Sequence, residues 1–430
     1  MFDSLIETAQ ATISDSEYNA RYDGTYRLNS VGVSIPARVR ALEMNVNWDR
    51  LTVDSMAEVL TVEGFEGADT DTELLRGVWD VWQRSDMRSR SHLAHTEALT
   101  QGVAYAIVGQ DTSGRVVTTI HPKDGFAVSH DSSGAIVEAV RTFSEKNADE
   151  DVHYATYYTE QSIEDYVSDD GTTWRRLRKR PSIGLVPVIP VVNKTRLSDR
   201  TGRSEIELVK SYSDAASRSA TLLQLATELM SMPQRYILGA SSDDFKNQVG
   251  DIKTAAEVYL GSFLMSSTPD AKAGQFEGAN LEQIVSVLKY WAECVSAMTG
   301  IPASMLGLST GHPSSAEAMR AAKERMISRG ELKQGVFGDA WEQWARVVIA
   351  LQGGSLDGTD TLSTVWRDIA VPSNSAKAAH LLQAHAQGVI SAHTARDGLP
   401  LTPEQRARED KNDIEAEEFG LLSPIREVAA

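Results

Sequence analysis

Few side chains in this sequence could do chemistry, and their spacing argues against a catalytic centre. His92 and His95 lie three residues apart and could share a helix face as half of a metal site, but no third ligand is spaced to join them. Cys294 is the only cysteine, which excludes an intramolecular disulfide and a cysteine-based zinc site. Because Val295 and Met298 are apolar neighbours, we interpret Cys294 as a buried, unreactive thiol.

Phosphate and cation chemistry is equally sparse. The sequence has no G-x-x-x-x-G-K-[ST] loop, the backbone cradle that a nucleotide-driven motor uses for phosphates. The acidic stretches 68–73 and 409–418 could attract divalent cations weakly, but a solvated acidic surface is the simpler interpretation. We therefore expect no G-x-S-x-G nucleophile elbow, no cofactor, no metal and no enzymatic activity.

The charge balance limits how the protein could meet DNA. Its 430 residues include 42 basic and 60 acidic side chains, a net charge of −18. Proteins that grip DNA by its phosphates carry a basic face, whereas here only residues 175–180 concentrate basic side chains. Either DNA is not a partner, or it passes without being held, since like charge repels phosphates. No apolar run is long enough to span a membrane, and residues 1–14 lack the basic start of a secretory signal.

Apolar periodicity divides the first half of the chain into a helical and a β-rich part. Helices are predicted at about 3–18, 51–60, 72–85 and 88–101. Short β-like runs follow, and their regular spacing predicts an antiparallel meander. These runs are 103–108, 116–120, 126–129, 136–143, 152–159 and 173–177. The proline-punctuated stretch 184–193 is predicted to be an extended edge segment that ends the sheet.

The second half is predicted to hold two helices around an inserted segment. The first starts at a capping box of Ser204 and Glu207 and stops before Pro233; the second spans 281–299 and stops at Gly300. The segment 234–280 between them contains β-like pieces at 235–238 and 258–265.

A long helix and two short ones complete the predicted elements. A second capping box, Ser314 with Glu317, starts a helix that runs from about 315 to 351. Gly330, Gly335 and Gly338 could kink it. Short helices are predicted at 375–386 and 402–419.

The order of several short motifs resembles one protein family. The motifs are Tyr22-Asp23-Gly24, Asn45-Val46-Asn47-Trp48, Ala94–Leu99, Gly102–Tyr105, Val186–Pro190, Ser204-Glu205-Ile206, Pro233–Gly239, Thr299–Pro302 and Pro313–Ala318. Together they resemble the portal, or head–tail connector, proteins of siphophages, particularly those that infect actinobacteria. No motif is specific alone, and the resemblance is weakest after about residue 370.

The resemblance implies an α+β portal fold with four parts. A wing containing the β-meander and long helices would comprise 1–204 and 315–372. Two stem helices, 205–232 and 281–299, would bracket a small α/β clip at 233–280. A tunnel loop would occupy 300–314, and a helical crown 373–430.

The resemblance also implies a function. Subunits would form a ring, of twelve copies in this family, at one capsid vertex of the virion after assembly in the host cytoplasm. Double-stranded DNA would pass through it without tight binding. The terminase large subunit, which would supply the force, the major capsid protein and a head–tail adaptor would be partners.

Candidate site residues follow from this plan. Ser309, Thr310, Gly311 and His312 would face the channel from the tunnel loop, with Lys289 on the preceding helix as a second phosphate contact. His312 is the one residue of that loop whose charge changes near neutral pH. Apolar positions in excess of one packing stripe predict contacts between subunits, and these are Leu222, Leu225, Leu229, Ile284 and Leu288.

Two other functions stay open at the level of sequence. A minor capsid or head-completion protein would share the virion but would not need two long helices around an inserted module. An enzyme with an unrecognised carboxylate pair would need acidic residues that converge in a pocket, and no spacing in the sequence indicates one.

Overall fold

The computed structural model describes most of the chain. The described residues are 2–12, 17–28, 42–68, 70–132, 134–147, 150–199, 201–231, 235–238, 272–275, 281–307, 316–370 and 374–399, with the short pieces 408–409 and 411–412. They belong to two compact units, Met1–Arg367 and Asp368–Ala430. Within the described part, no helix is long and apolar enough to cross a membrane.

Helices and antiparallel sheets alternate in blocks, which confirms the α+β class. The helices are α1 Phe2–Ala11, α2 Glu17–Tyr22, α3 Trp48–Ala57, α4 Thr72–Arg84, α5 Met87–Gln101, α6 Lys210–Ser231, α7 Leu281–Thr299, α8 Ala316–Leu351, α9 Asn374–Ala386 and α10 Ala392–Asp397. The strands are β1 Val62–Gly67, β2 Val103–Gln110, β3 Val116–His121, β4 Phe126–His130, β5 Ile136–Asn147, β6 Glu150–Thr159, β7 Ser162–Ser168, β8 Arg175–Pro181, β9 Val188–Val192, β10 Arg235–Leu238, β11 Lys272–Gln275 and β12 Leu362–Trp366.

The β-rich part forms two sheets rather than the single meander that the sequence predicts. A three-stranded sheet has the order β3-β2-β9, and a five-stranded sheet has the order β4-β5-β6-β7-β8. The segment 184–193 does contain an edge strand, β9, but it pairs with β2 instead of closing the meander. The two sheets share an apolar cluster in which the rings of Tyr105 and Phe126 stack with centroids 4.5 Å apart.

The largest core lies where α3, α4, α5 and the C-terminal half of α8 meet the three-stranded sheet. Trp82, Trp341 and Trp344 are almost completely buried there and meet edge to face at 5.4 and 5.2 Å. The Trp344 indole donates a hydrogen bond to Thr118 Oγ1 at 2.9 Å, so its polar atom is satisfied inside the core. This packing fixes α8 against the sheet.

Helix ends differ from the predictions where tertiary contacts decide them. The predicted helix 3–18 is two helices, α1 and α2. Ser204 caps the amide of Ile206 and starts a short 3-10 helix, Glu205–Leu208, before α6. The Glu207 carboxylate accepts hydrogen bonds from Tyr18 and Lys210 and does not complete the capping box.

The long helix α8 runs without a break through its three glycines, from Ala316 to Leu351. Its predicted capping box at Ser314, the β-like piece 258–265 and almost all of the helix 402–419 lie outside the described residues. The strand pair β1–β12 is a feature that the sequence did not predict.

Two glycines allow a close approach between distant parts of the chain. Gly102 ends α5 with φ +95°, and Gly202 has φ +78°. A Cβ on Gly102 would lie 2.9 Å from the Gly202 carbonyl carbon, and a Cβ on Gly202 would collide with the Gly102 carbonyl oxygen. The Gly102 carbonyl also accepts the Asn193 amide at 2.8 Å, so this contact positions the end of β9 beside the entry to α6.

Candidate assembly surface and helix junction

The helices α6 and α7 pack side by side. Val209 lies just before α6 and Ala216 lies in its first half. Both share a cluster with Ala292 and Val295 of α7. Because the start of one helix contacts the end of the other, the pair is antiparallel. At the opposite end of the pair, β10 follows α6 and bonds to β11, which precedes α7.

A leucine stripe lies on the side of α6 that faces away from α7. Leu222 and Leu225 are three residues apart, and Leu229 follows four residues later, so their Cα positions share one helix face. That face is nearly opposite to the one that holds Ala216. Leu222 is 42% exposed and Leu225 is half-buried, while the side chain of Leu229 lies outside the described part. The stripe is thus only partly covered within the subunit.

The other two predicted interface residues lie on a different surface. Leu288 packs against the cluster between α6 and α7, and Ile284, one turn earlier on the same face, is half-buried. Leu288 therefore has packing partners within the subunit, and its contact with a neighbouring subunit stays a prediction. Sequence reasoning missed Val287 and Tyr290, which are 43% and 56% exposed on a second face of α7. Their spacing of three residues, offset from the main apolar stripe, was the available signal.

A polar face of α7 carries the predicted phosphate contact. Glu282, Ser286, Lys289 and Glu293 recur at helical spacing on this face and are exposed. Lys289 is therefore exposed, as a contact with a ligand would require, but it has acidic neighbours on its own face.

The predicted channel residues Ser309, Thr310, Gly311 and His312 lie outside the described residues. The expectation that the sequence holds no G-x-S-x-G nucleophile elbow is wrong as a statement about the motif, because residues 307–311 read Gly-Leu-Ser-Thr-Gly and match that pattern. That elbow requires a strand directly before the serine turn. Here the preceding elements are α7 and the 3-10 helix Ala303–Leu306, so the match lacks its structural context.

Hydroxyl groups on a third face of α6 hold the segment 44–46, which belongs to no helix or strand. Thr221 Oγ1 accepts the backbone amide of Met44 at 3.0 Å, and Ser217 Oγ accepts that of Val46 at 3.2 Å. Both hydroxyl residues are buried. Small side chains at this four-residue spacing let the segment lie close to the helix without belonging to a sheet.

Where α6, α7 and α8 meet, a buried group of charges joins them. Glu205, the first residue of the 3-10 helix before α6, is 2% exposed and forms ion pairs with Lys333, at 2.7 Å, and with Arg329. Both cations lie one turn apart on α8. Asn193 at the end of β9 donates to Glu205 at 3.1 Å and accepts from Lys333. Arg329 also donates to the carbonyl oxygen of Thr299 at the end of α7. We call these five residues the helix junction.

The charges of the helix junction depend on one another. Burial alone would raise the pKa of Glu205, but the nearby charges of Lys333 and Arg329 outweigh it and lower the pKa. Glu205 is therefore ionised at neutral pH. A cation at the C-terminal end of α7, Arg329, also interacts favourably with the helix dipole.

The turn after α7 is shaped by its contact with α8. Gly300 has φ +77°, and a Cβ there would lie 2.8 Å from the backbone nitrogen of Met326. Ser296 Oγ donates to the Ile301 carbonyl at 2.7 Å, which fixes the first residues of the turn. These contacts set the direction in which the described residues 301–307 leave α7.

The histidine pair does not form a metal site. His92 is exposed, whereas His95 is fully buried. His95 accepts a hydrogen bond from the Trp341 indole at 2.9 Å, and its Nδ1 lies 3.2 Å from the Leu60 carbonyl. Burial lowers the pKa of His95 to about 3, so it is a neutral core residue. No three His, Cys, Asp or Glu side chains of the described residues are grouped so that they could hold a metal ion.

Comparison with known proteins gives a family match and two related sequences. A family model described as "Phage portal protein, SPP1 Gp6-like" matches residues 9–418. The portal protein of Mycobacterium phage L5 is 31% identical over 435 residues, which covers 98% of this chain and 88% of the relative. The portal protein of Mycobacterium phage D29 is 32% identical over 414 residues, which covers 93% and 85%.

Among solved structures, a similar chain comes from "Neck of empty GTA particle computed with C6 symmetry". The match has a TM-score of 0.46 and 15% identity and covers 90% of this chain and 100% of that one. This likeness is too distant to bear on assembly.

Proposed function

Because this chain belongs to the SPP1 Gp6-like phage portal protein family, we propose that it forms a closed ring, most simply of twelve subunits, at one capsid vertex. Double-stranded DNA passes through the ring during packaging and ejection. The terminase large subunit, the major capsid protein and a head–tail adaptor bind its outer surfaces. Membership of the portal family decides against a head-completion protein. The family is structural, and we infer that the chain has no catalytic centre.

The observation that best supports a ring is that the α6–α7 pair has exposed apolar residues on two different sides. Leu222 and Leu225 open to one side, and Val287 and Tyr290 open to another. A ring needs a heterologous contact, in which one surface of a subunit meets a different surface of its neighbour. Two separate apolar surfaces on one rigid helix pair suit such a contact, and we assign α6 and α7 to the stem.

The remaining parts follow from the family plan. The clip lies around β10 and β11, and the wing contains the two sheets and α8. The crown comprises 373–430. The tunnel loop, 300–314, contributes Ser309, Thr310, Gly311 and His312 to the channel wall.

The channel is proposed to repel DNA more than it binds it. The polar face of α7 holds Lys289 between Glu282 and Glu293, and the whole subunit carries a net charge of −18. Few phosphate contacts form on such a wall, so DNA slides with little adhesion. Lys289 is a weak, transient contact in this arrangement.

The stripe is tested by placing a charge in it. Leu222→Asp combined with Leu225→Asp should convert rings into soluble monomers, because an interface cannot bury an unpaired carboxylate without a large penalty. Light scattering after size-exclusion chromatography gives the mass, and negative-stain images show whether annular particles remain. Leu93→Asp is the matched control, since Leu93 is 61% exposed on α5 and should leave the rings intact. Normal rings from the double variant would rule out this interface.

A further inference from the structure

The strand β8 is a basic edge on an acidic protein. It reads Arg-Arg-Leu-Arg-Lys-Arg-Pro and forms the outer edge of the five-stranded sheet. Six of its seven residues are exposed, and Leu177 is 53% exposed. At about 3.3 Å per residue the strand offers an edge of roughly 23 Å. Within the described residues, no backbone hydrogen bond reaches the outer side of this strand.

A β-bulge brings two of the arginines of β8, Arg175 and Arg178, to one face. Arg175 pairs with Val167 and Arg178 with Asp165, while the register shifts at Leu177 between them. Val167 and Asp165 are two residues apart, so they share a face of β7. The bulge therefore places Arg175 and Arg178 on that same face, although their spacing of three would separate them in a regular strand.

The charges of β8 are only partly neutralised. Arg176 and Lys179 both pair with Glu164, at 3.3 and 2.7 Å, and Arg180 pairs with Asp165 at 2.9 Å. Arg175 and Arg178 have no ion pair within the part of the chain that the structure describes. Five cations against two carboxylates leave this edge with a net charge of +3.

We propose that β8 is a docking site for an extended, acidic segment of a partner protein, which adds to the sheet as a sixth strand. The open backbone edge supplies hydrogen bonds for the added strand. Acidic residues at every second position of that strand would all face Arg175 and Arg178. Leu177 offers an apolar contact beside them.

The geometry favours a polypeptide over nucleic acid. Three of the five cations of β8 are already engaged within the sheet, so only two remain for phosphates. Charged side chains on an edge strand also prevent non-specific pairing with strands of other chains. The positive charges of β8 repel basic strands but attract acidic ones. The edge is therefore selective and not merely protected.

The test uses the full-length protein and a fluorescein-labelled peptide of alternating glutamate and valine. Fluorescence anisotropy should show saturable binding that weakens with salt. Arg175→Glu with Arg178→Glu should weaken binding by about tenfold or more, because two charge-assisted contacts become repulsive. Arg84→Glu with Arg88→Glu, an exposed pair at the boundary of α4 and α5, is the charge-matched control and should bind as the unmodified protein does.

Backbone pairing is tested by N-methylating alternate peptide bonds. One methylation frame should abolish binding and the other should preserve it, because only every second amide of an added strand points towards β8. Equal loss in both frames, no saturable binding of the peptide, or an unchanged affinity of the β8 variant would overturn the proposal. So would tighter binding of a short double-stranded DNA that depends on Arg175 and Arg178.

Discussion

Replacing Glu205 with Gln should strongly destabilise the unit Met1–Arg367. The substitution keeps the shape of the side chain but removes the carboxylate that Lys333 and Arg329 share. Lys333 is 5% exposed and cannot regain much water, whereas the side chain of Arg329 is 19% exposed and can rehydrate in part. Breaking a buried ion pair by removing one partner costs about 3–5 kcal/mol, and the exposure of Arg329 places the expected loss near the lower end, about 3 kcal/mol.

Urea unfolding of the purified subunit measures this loss directly. The midpoint should fall while the slope with urea stays constant, because the surface exposed on unfolding does not change. At about 2.1 cal/mol/K per residue, the unfolding entropy of this unit is roughly 0.8 kcal/mol/K, so about 3 kcal/mol corresponds to a drop of roughly 4 °C in Tm.

A matched control separates burial from charge. Glu73→Gln removes a partner from the exposed pair with Arg76, whose side chains are 76% and 65% accessible, and should cost less than about 0.5 kcal/mol. Lys333→Met should restore part of the stability lost in Glu205→Gln, because it removes an uncompensated buried charge. If Glu205→Gln lowers the free energy of unfolding no more than Glu73→Gln does, the charges of the helix junction do not depend on one another and the reasoning fails.

Three further outcomes are expected. In the unfolded chain the pKa of His95 is near 6.5, whereas in the folded chain burial lowers this pKa to about 3. The contribution of neutral His95 to the free energy of unfolding is therefore complete above pH 6.5, and acidification below that pH removes up to about 1.4 kcal/mol per pH unit. His95→Gln should flatten the pH dependence of urea stability between pH 4.5 and 6.5, and an unchanged slope would contradict this. Gly300→Ala should lower the free energy of unfolding by more than Gly307→Ala in the same assay. Both glycines have positive φ, but only at Gly300 would an added Cβ meet another backbone segment. Equal losses of stability in the two variants would refute this contact. Ser217→Ala should accelerate amide hydrogen exchange at Val46 and leave Met44, held by Thr221, less affected; equal acceleration would show that the segment opens as a whole.

Local signals made the long helices predictable. The bounds of α7 agree with the sequence because Gly300, followed two residues later by Pro302, is a strong helix stop, and α8 begins within one residue of its predicted start. Apolar alternation likewise located most strands of the two sheets. Such signals depend only on residues close in sequence.

Features set by distant contacts were not predictable. The strand β7 was missed because Glu164 and Asp165 interrupt its apolar pattern, and their partners on β8 are visible only in the sheet. The pair β1–β12 joins segments that lie far apart in the sequence. At the junction, Glu205 and Lys333 resemble ordinary surface residues, and nothing nearby in the sequence indicates their burial.

The contact between Gly102 and Gly202 has a consequence for how the sequence can vary. Because neither residue has a side chain, a substitution at one position cannot be offset by a smaller residue at the other. Compensating pairs of mutations therefore cannot arise at these two sites. Methods that infer contacts from correlated substitutions among relatives would find no signal here, although these backbones touch and hold the end of β9 beside α6.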